Sequence, residues 1–300
     1  MKLSIIILTC DKDRQWLDAL KSHIEERVHI QHEVIIMDNT TTQDVPNAIH
    51  TGGNKRQLWA KKMSMDYISG DYVWFVDCDD DVLTVEKWPN RNHLDDVIMF
   101  DYLADHKYCN PWYLGRQRFI GHNRIYNNDI YQCCSIQMWD KWIAASLIKK
   151  IYNMLPYQEI TASEDKIASM LINKYATSVQ HCNIPLYVYR TDRASSCRDE
   201  TTLEHFKIMQ TSVIESETLI HKLFTDSGVE TAYHISEVEL DDAWFAIYRL
   251  AYYKCSWELP EMIDIIMHNY NRNTIYIGWL KAYNDIPENK RKIIFNCLFH

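Results

Sequence analysis

Four carboxylates crowd the end of one apolar run. Residues 73–82 read Val-Trp-Phe-Val-Asp-Cys-Asp-Asp-Asp-Val, so Asp77, Asp79, Asp80 and Asp81 close a hydrophobic segment of strand length. Like charges at this spacing repel, and each raises its neighbour's pKa unless a cation sits among them. Mg²⁺ or Mn²⁺, held by one or two carboxylates together with substrate phosphates, would relieve that repulsion. The alternative is a solvated acidic turn. A second acidic pair, Glu164-Asp165, follows Thr161-Ala-Ser. Thr161 and Glu164 match a capping box, and Asp165 in the first turn suits the positive end of the helix dipole. A carboxylate fixed at a helix start can also take a proton from an incoming hydroxyl as a general base. The residues alone leave both readings open.

The elements that must position these acids alternate. Residues 3–9 form a near-continuous apolar run, as in a parallel strand covered on both faces. Trp16, Leu20, Ile24 and Val28 recur at helical spacing. Val34–Met37 reads as a second strand ending at Asp38, and residues 57–69 as a helix stopped by Gly70. Val73–Val76 and Val97–Phe100 are further strands. Residues 137–154 read as helix, another helix starts near Thr161, and Pro185–Arg190 reads as a last strand. Such alternation implies βαβ units and a mostly parallel α/β sheet. Ligands of such sheets bind beyond the carboxyl ends of the strands, where Thr9, Asp38 and Asp77–Asp80 stand. Residues 201–300 carry helical spacing throughout, which divides the chain into a first domain, 1–198, and a helical C-terminal region, 199–300. Residues 106–131 interrupt the alternation with mixed basic and aromatic side chains, an excursion able to contact phosphates and stack on bases.

Composition sets bounds. The chain has 300 residues, of which 47% are hydrophobic, ample for a core, and only seven are Gly, which excludes low complexity. A formal charge of −9 argues against a general nucleic-acid coat. The nine cysteines form no C-x-x-C pair, and the N-terminus reads as a strand rather than a signal peptide, so reduced thiols and a location in the cytoplasm or peripheral at the inner membrane face are expected. No run of about 18 apolar residues occurs, so no transmembrane span is expected.

The order of motifs resembles the family 2 glycosyltransferases of GT-A fold. Ser-Ile-Ile-Ile-Leu-Thr-Cys-Asp (4–11) is similar to their first strand and turn, and Glu33–Thr41 to their second strand and Asp-rich turn. Ala60-Lys61-Lys62 and Ser69-Gly70-Asp71-Tyr72 resemble the segment before their D-x-D motif, and Phe75–Asp80 the motif itself. Trp142–Lys150 with Ser163-Glu164-Asp165 resemble the acceptor-side segment and its "ED" base. Pro185–Arg190, then Ser195-Ser196, resemble the closing segment. The resemblance covers residues 3–197. It implies an α/β Rossmann-like sheet and inverting transfer from a nucleotide sugar, UDP-linked by expectation, to a hydroxyl. Asp38 would bind the base; Asp79 and Asp80 would hold Mn²⁺ or Mg²⁺ and the diphosphate, supported by Asp77. Thr9, Lys61, Arg190 and Ser195 would line the donor site. Asp165 would be the base, oriented by Glu164. Cys10 stands where the family often has Tyr, and Lys61-Lys62 replaces its Arg-Asn pair. The implied acceptor is a glycan or lipid-linked glycan at a bacterial surface. The alternatives are a hydroxymethylated DNA base, for the sake of residues 106–131, and a non-catalytic nucleotide- or glycan-binding relic of the fold.

Overall fold

The computed structural model describes residues 1–88, 95–104, 107–109, 119–120, 137–160, 163–193, 202–225, 242–250, 259–284 and 286–299. The chain forms two compact units, Met1–Glu159 with Glu164–Ala194, and Ile160–Ser163 with Ser195–His300.

The first unit is built on one sheet, which runs β3 (Ile49–His50), β2 (His32–Asp38), β1 (Leu3–Thr9), β4 (Tyr72–Asp77), β9 (Lys141–Ala144), β6 (Val97–Ala104), β10 (Ser178–Tyr189) and β5 (Asp81–Val82). Two short strands, β7 (Lys107–Cys109) and β8 (Phe119–Ile120), add to β6 and β10. β1 pairs in parallel with β2 and β4, as β6 does with β10, while β9 runs antiparallel between β4 and β6. β5, β7 and β8 also pair antiparallel, so among the described residues the sheet is mixed, with its longest pairings parallel, where the sequence leads one to expect a mostly parallel sheet. Its apolar runs are buried on both faces: Leu3, Ile5, Ile7, Trp74 and Val76 pack with Leu17, Leu20 and Ile24 of α1 (Leu17–Arg27). On the other face Phe75 meets the Tyr152 ring at 6.0 Å, beneath α2 (Arg56–Ser64) and the helix Ala145–Met154.

Two further sequence expectations fail here for identifiable reasons. Residues 137–154 are not all helix, because Lys141–Ala144 pairs with β4 and β6 before the helix begins at Ala145. Helix α2 ends at Ser64, so Gly70 is not its terminator. Gly70 instead lies against β1: a Cβ there would stand 2.6 Å from Ser4 Oγ and 2.7 Å from Ser4 N. Its amide donates to Ser4 Oγ at 2.9 Å, and glycine is required by that close approach rather than by a helix end.

The second unit is helical in its described residues, with helices Leu203–Thr225, 242–250, Leu259–Asn269, Arg272–Ala282 and Glu288–Phe299. Its core gathers Phe206, Ile247, Leu250, Met262, Ile266, Ile275, Trp279 and Leu298.

Candidate active site

Register brings the strand ends together. Thr9 pairs with Asp38 and Leu8 with Asp77, so the carboxyl ends of β2, β1 and β4 finish side by side. Beyond β4 the chain turns at once, with the Asp80 amide donating to the Asp77 carbonyl at 3.1 Å. Asp80 is buried, and β10 holds it: the Tyr187 hydroxyl donates to Oδ2 and the Arg190 amide to Oδ1, each at 2.7 Å. Tyr187 also accepts from the Asp77 amide at 3.2 Å, and its ring stacks on Trp139 at 4.6 Å. Burial pushes the Asp80 carboxyl up to about 7, with Asp79 adding to the rise and the Arg190 amide opposing it. Desolvation of the Asp77 carboxyl and the charge of Asp80 hold Asp77 well above the usual carboxylate range, against the pull of Lys61. Asp81, the last acid of the run, turns away to His23 at 2.8 Å and Arg27 at 3.2 Å on α1. The guanidinium of Arg190 is occupied by Asp192, so Arg190 reaches Asp80 through its backbone.

Three partners of this cluster escaped sequence reasoning. Arg193 donates to the carbonyl of Asp79 at 2.8 Å while lying over the Trp16 ring at 4.2 Å. Tyr187 is the bridge just described. Asp13 accepts from the Cys10 amide at 2.7 Å and from Thr9 Oγ1 at 3.1 Å. Burial pushes Asp13 up to about 6, and the charge of Asp79 adds to the rise. The only available signal was its place in the turn after β1. Thr9 is buried beneath this turn. Asp38 is buried too, and both its oxygens are engaged: Thr40 N and Oγ1 on Oδ1, Val45 N and His50 Nδ1 on Oδ2. Burial alone would raise its pKa, but these donors outweigh it and hold Asp38 below the usual range. Asp38 therefore shapes the loop that follows β2.

The second acidic pair begins the helix Glu164–Tyr175. The chain enters this helix through Ser163 in the left-handed region, φ 64°, a conformation costly for a non-glycine residue. Lys61, on α2 and almost fully buried, inserts between the two acids, with Nζ 3.1 Å from Glu164 Oε1 and 2.5 Å from Asp165 Oδ1. Its ammonium lies 5.7 Å from the centre of the Phe75 ring, two residues before Asp77 and on the same face of β4. Burial works against the Lys61 charge, but Asp165 and Glu164, with smaller effects from Tyr152 and Asp77, hold its pKa well above an ordinary lysine's. Burial pushes Glu164 up to about 7 despite Lys61. Lys61, expected among the donor-site residues, thus sits with the second acid pair and is felt electrostatically by the first.

Among the described residues no three His, Cys, Asp or Glu side chains are arranged around one metal ion. Asp79 and Asp80 carry the donor chemistry that suits Mg²⁺ or Mn²⁺, although both Asp80 oxygens already accept hydrogen bonds, from Tyr187 and the Arg190 amide. Carboxylate oxygens are hard ligands, and such ions take one or two carboxylates and complete their shell with waters and substrate phosphates. Ser195, the Thr161 cap and most of residues 106–131 lie outside the described residues.

The chain matches no protein-family model and no curated protein sequence. Solved structures do match. Against S. aureus TarS 1-349 in complex with UDP-GlcNAc the TM-score is 0.56 at 13% identity, covering 99% of this chain and 87% of that one. Against TarS 1-349 in complex with UDP it is 0.51 at 14% identity, with the same coverage. Against the longer S. aureus TarS structure it is 0.51, and the chain spans 52% of that chain. The fold is the GT-A-type α/β fold of these TarS structures.

Proposed function

We propose that the protein is an inverting glycosyltransferase that moves a sugar from a UDP-linked donor to a hydroxyl of a glycan or lipid-linked glycan. The observation that carries this reading is the pairing of two carboxylate centres on a GT-A-type sheet. One lies at the end of β4, the other at the start of the helix Glu164–Tyr175, and Lys61 is charge-coupled to both. UDP and UDP-GlcNAc are bound by the neighbouring TarS structures, which supports the donor class.

In this reading Asp79 and Asp80 would hold Mn²⁺ or Mg²⁺, with Asp77 behind them and Tyr187 and the Arg190 amide fixing Asp80. The metal, when bound, neutralises charge developing on the diphosphate leaving group. Asp165 accepts the proton of the acceptor hydroxyl, whose oxygen forms the new bond to the anomeric carbon. The bond from that carbon to the phosphate oxygen breaks, and UDP leaves with the electron pair. Attack opposite the leaving group inverts the anomeric centre. Glu164 and Lys61 orient Asp165; Thr9, Asp38 and the loop it shapes, and Ser195 belong to the nucleotide side. We place the reaction in the cytoplasm, where the sequence expects its cysteines reduced. The chain's net charge of −9 favours a glycan over DNA as acceptor.

The test is UDP release from UDP-GlcNAc by purified protein, with and without Mn²⁺, together with calorimetric titration of UDP. Metal-dependent release that is lost in Asp165→Asn supports the assignment. UDP binding without any turnover, with or without sugar acceptors, would identify a non-catalytic relic instead.

A further inference from the structure

The helix Arg272–Ala282 buries one face and leaves the other apolar but open. Thr274, Ile275, Gly278, Trp279 and Ala282 turn inward, and Gly278 lets the helix approach the 242–250 helix, since a Cβ there would stand 3.0 Å from Trp244 N. The outward face carries Tyr276, Ile277, Leu280 and Tyr283 at 49%, 41%, 54% and 44% exposure. At roughly 100° per residue these four share one stripe, with the exposed Asn273 as the polar side chain within it on this helix. Arg272 lies at one edge of it and Lys281 at the other, about half a turn apart, both exposed. The helix Glu288–Phe299 folds back alongside. Tyr276 meets Phe299 at 5.8 Å, Trp279 meets Phe295 at 5.6 Å, and Arg291 lies over Tyr283 at 4.5 Å. This second helix adds the exposed Lys292 and Ile293.

Charge decides what such a face fits. In a chain of formal charge −9, residues 272–299 hold Arg272, Lys281, Lys290, Arg291 and Lys292 against only Asp285 and Glu288. Protein–protein interfaces are depleted in lysine. A stripe of Leu, Ile and Tyr edged by Lys and Arg is instead the composition of a helix lying in a membrane interface. There the apolar side chains enter the acyl boundary, tyrosine rings sit at headgroup level and long cationic side chains reach the phosphates.

We propose that the 272–299 helix pair is a docking surface for a bilayer rich in anionic phospholipid, which binds the protein without spanning the membrane. No helix among the described residues is long and apolar enough to cross one. The acidic remainder of the chain is repelled by the same surface, so this face sets the orientation of binding. The proposal stands apart from glycosyl transfer, because vesicle binding requires neither donor nor acceptor.

The test is co-sedimentation of the full chain with vesicles of phosphatidylglycerol and phosphatidylcholine in equal parts, against vesicles of phosphatidylcholine alone. The expected result is binding to the anionic vesicles that weakens as salt is raised. The double variant Ile277→Ser/Leu280→Ser should stay in solution. Arg272→Gln and Lys292→Gln should each weaken binding about fivefold. All four positions are exposed, so melting temperature should barely change, and circular dichroism of each variant checks that the fold is kept. Failure of the native chain to sediment, or unchanged binding by Ile277→Ser/Leu280→Ser, overturns the proposal. So does sedimentation velocity showing that this stripe joins two copies of the chain while vesicles leave the protein in solution.

Discussion

Lys61 and Asp165 form a part-buried ion pair at 2.5 Å, the lysine almost fully enclosed and the carboxylate 27% exposed, between two elements more than a hundred residues apart in sequence, α2 and the helix Glu164–Tyr175. With Glu164 at 3.1 Å, one ammonium serves two carboxylates. Breaking such a pair from one side leaves uncompensated buried charge, which costs about 3–5 kcal/mol. Lys61→Met should therefore lower the unfolding free energy by that amount, read as a fall in the urea midpoint with an unchanged m-value. Lys61→Arg keeps the charge but brings a larger, planar group, and should recover part of the stability without restoring full turnover. A Lys61→Met protein as stable as the native one would show that the pair contributes nothing net.

Asp165→Asn separates the two roles open to this residue. As the base, its loss should reduce transfer by roughly 10²–10⁴-fold while UDP affinity stays near normal. As a partner of the helix dipole and of Lys61 alone, its loss should appear in the melting temperature with turnover per folded molecule retained. Rate and melting temperature measured on one preparation decide between these outcomes.

Asp79→Ala and Asp80→Ala should each abolish the Mn²⁺-dependent part of UDP binding in calorimetric titration. Tyr187→Phe is the finer probe. It deletes only the hydroxyl that joins the Asp77 amide to Asp80 Oδ2, at 3.2 and 2.7 Å, and should cost about 1–3 kcal/mol of stability. If Asp80 must be held to receive the ion, metal affinity falls in the same variant. Unchanged metal dependence in Asp79→Ala and Asp80→Ala would remove both residues from the donor site.

Gly70→Ala tests the packing of β1. The added methyl would meet Ser4 N, Ser4 Oγ and the Lys2 carbonyl at 2.6–2.8 Å, two of them backbone atoms that cannot step aside. A loss of about 1–3 kcal/mol is expected. Thermal unfolding measures it.

Glu33 gives the fold an acid-sensitive clasp. It accepts from Lys2 Nζ, Ser4 Oγ, the Ser69 amide and hydroxyl, and the Gly70 amide. Burial alone would raise its pKa, but these donors, Lys2 foremost, outweigh it and hold the carboxyl at about 2 against an ordinary 4.5. Between these values the unfolded chain binds the extra proton. The contribution of Glu33 is thus present above pH 4.5 and is lost as pH falls toward 2. Glu33→Gln should flatten the stability–pH curve in that window, read by denaturant titration at stepped pH.

The strands β1, β2, β4 and β6 were legible because parallel strands covered on both faces must be apolar almost throughout, and each carries such a run. β9 was not legible. Lys141-Trp-Ile-Ala144 passes into helix at Ala145 with no Gly, Pro or polar turn residue to mark the change, and tertiary pairing decides its state. Gly70 was visible as a special position, but its reason lies in a contact with Ser4, 66 residues away. At the site, the acids announced themselves by clustering. Asp13, Arg193 and the placement of Lys61 did not, since each acts on a group brought near only by the folded sheet.

The antiparallel β9 also has a consequence for how the sheet assembles. β4 and β6 are neighbours only through it, and β9 returns to β4 from about 70 residues downstream, pairing Tyr72 with Ala144. Both pairings of β4 close loops of similar length, since Leu3 pairs with Tyr72, 69 residues on, and Tyr72 with Ala144, 72 residues on. Loop-closure cost grows only slowly with length, so the two closures cost nearly the same and the order of synthesis is what separates them. During synthesis the carboxylates of β4 therefore emerge and pair with β1 well before the helix that carries Asp165 exists, so the two acid centres are made at different times and united last by Lys61.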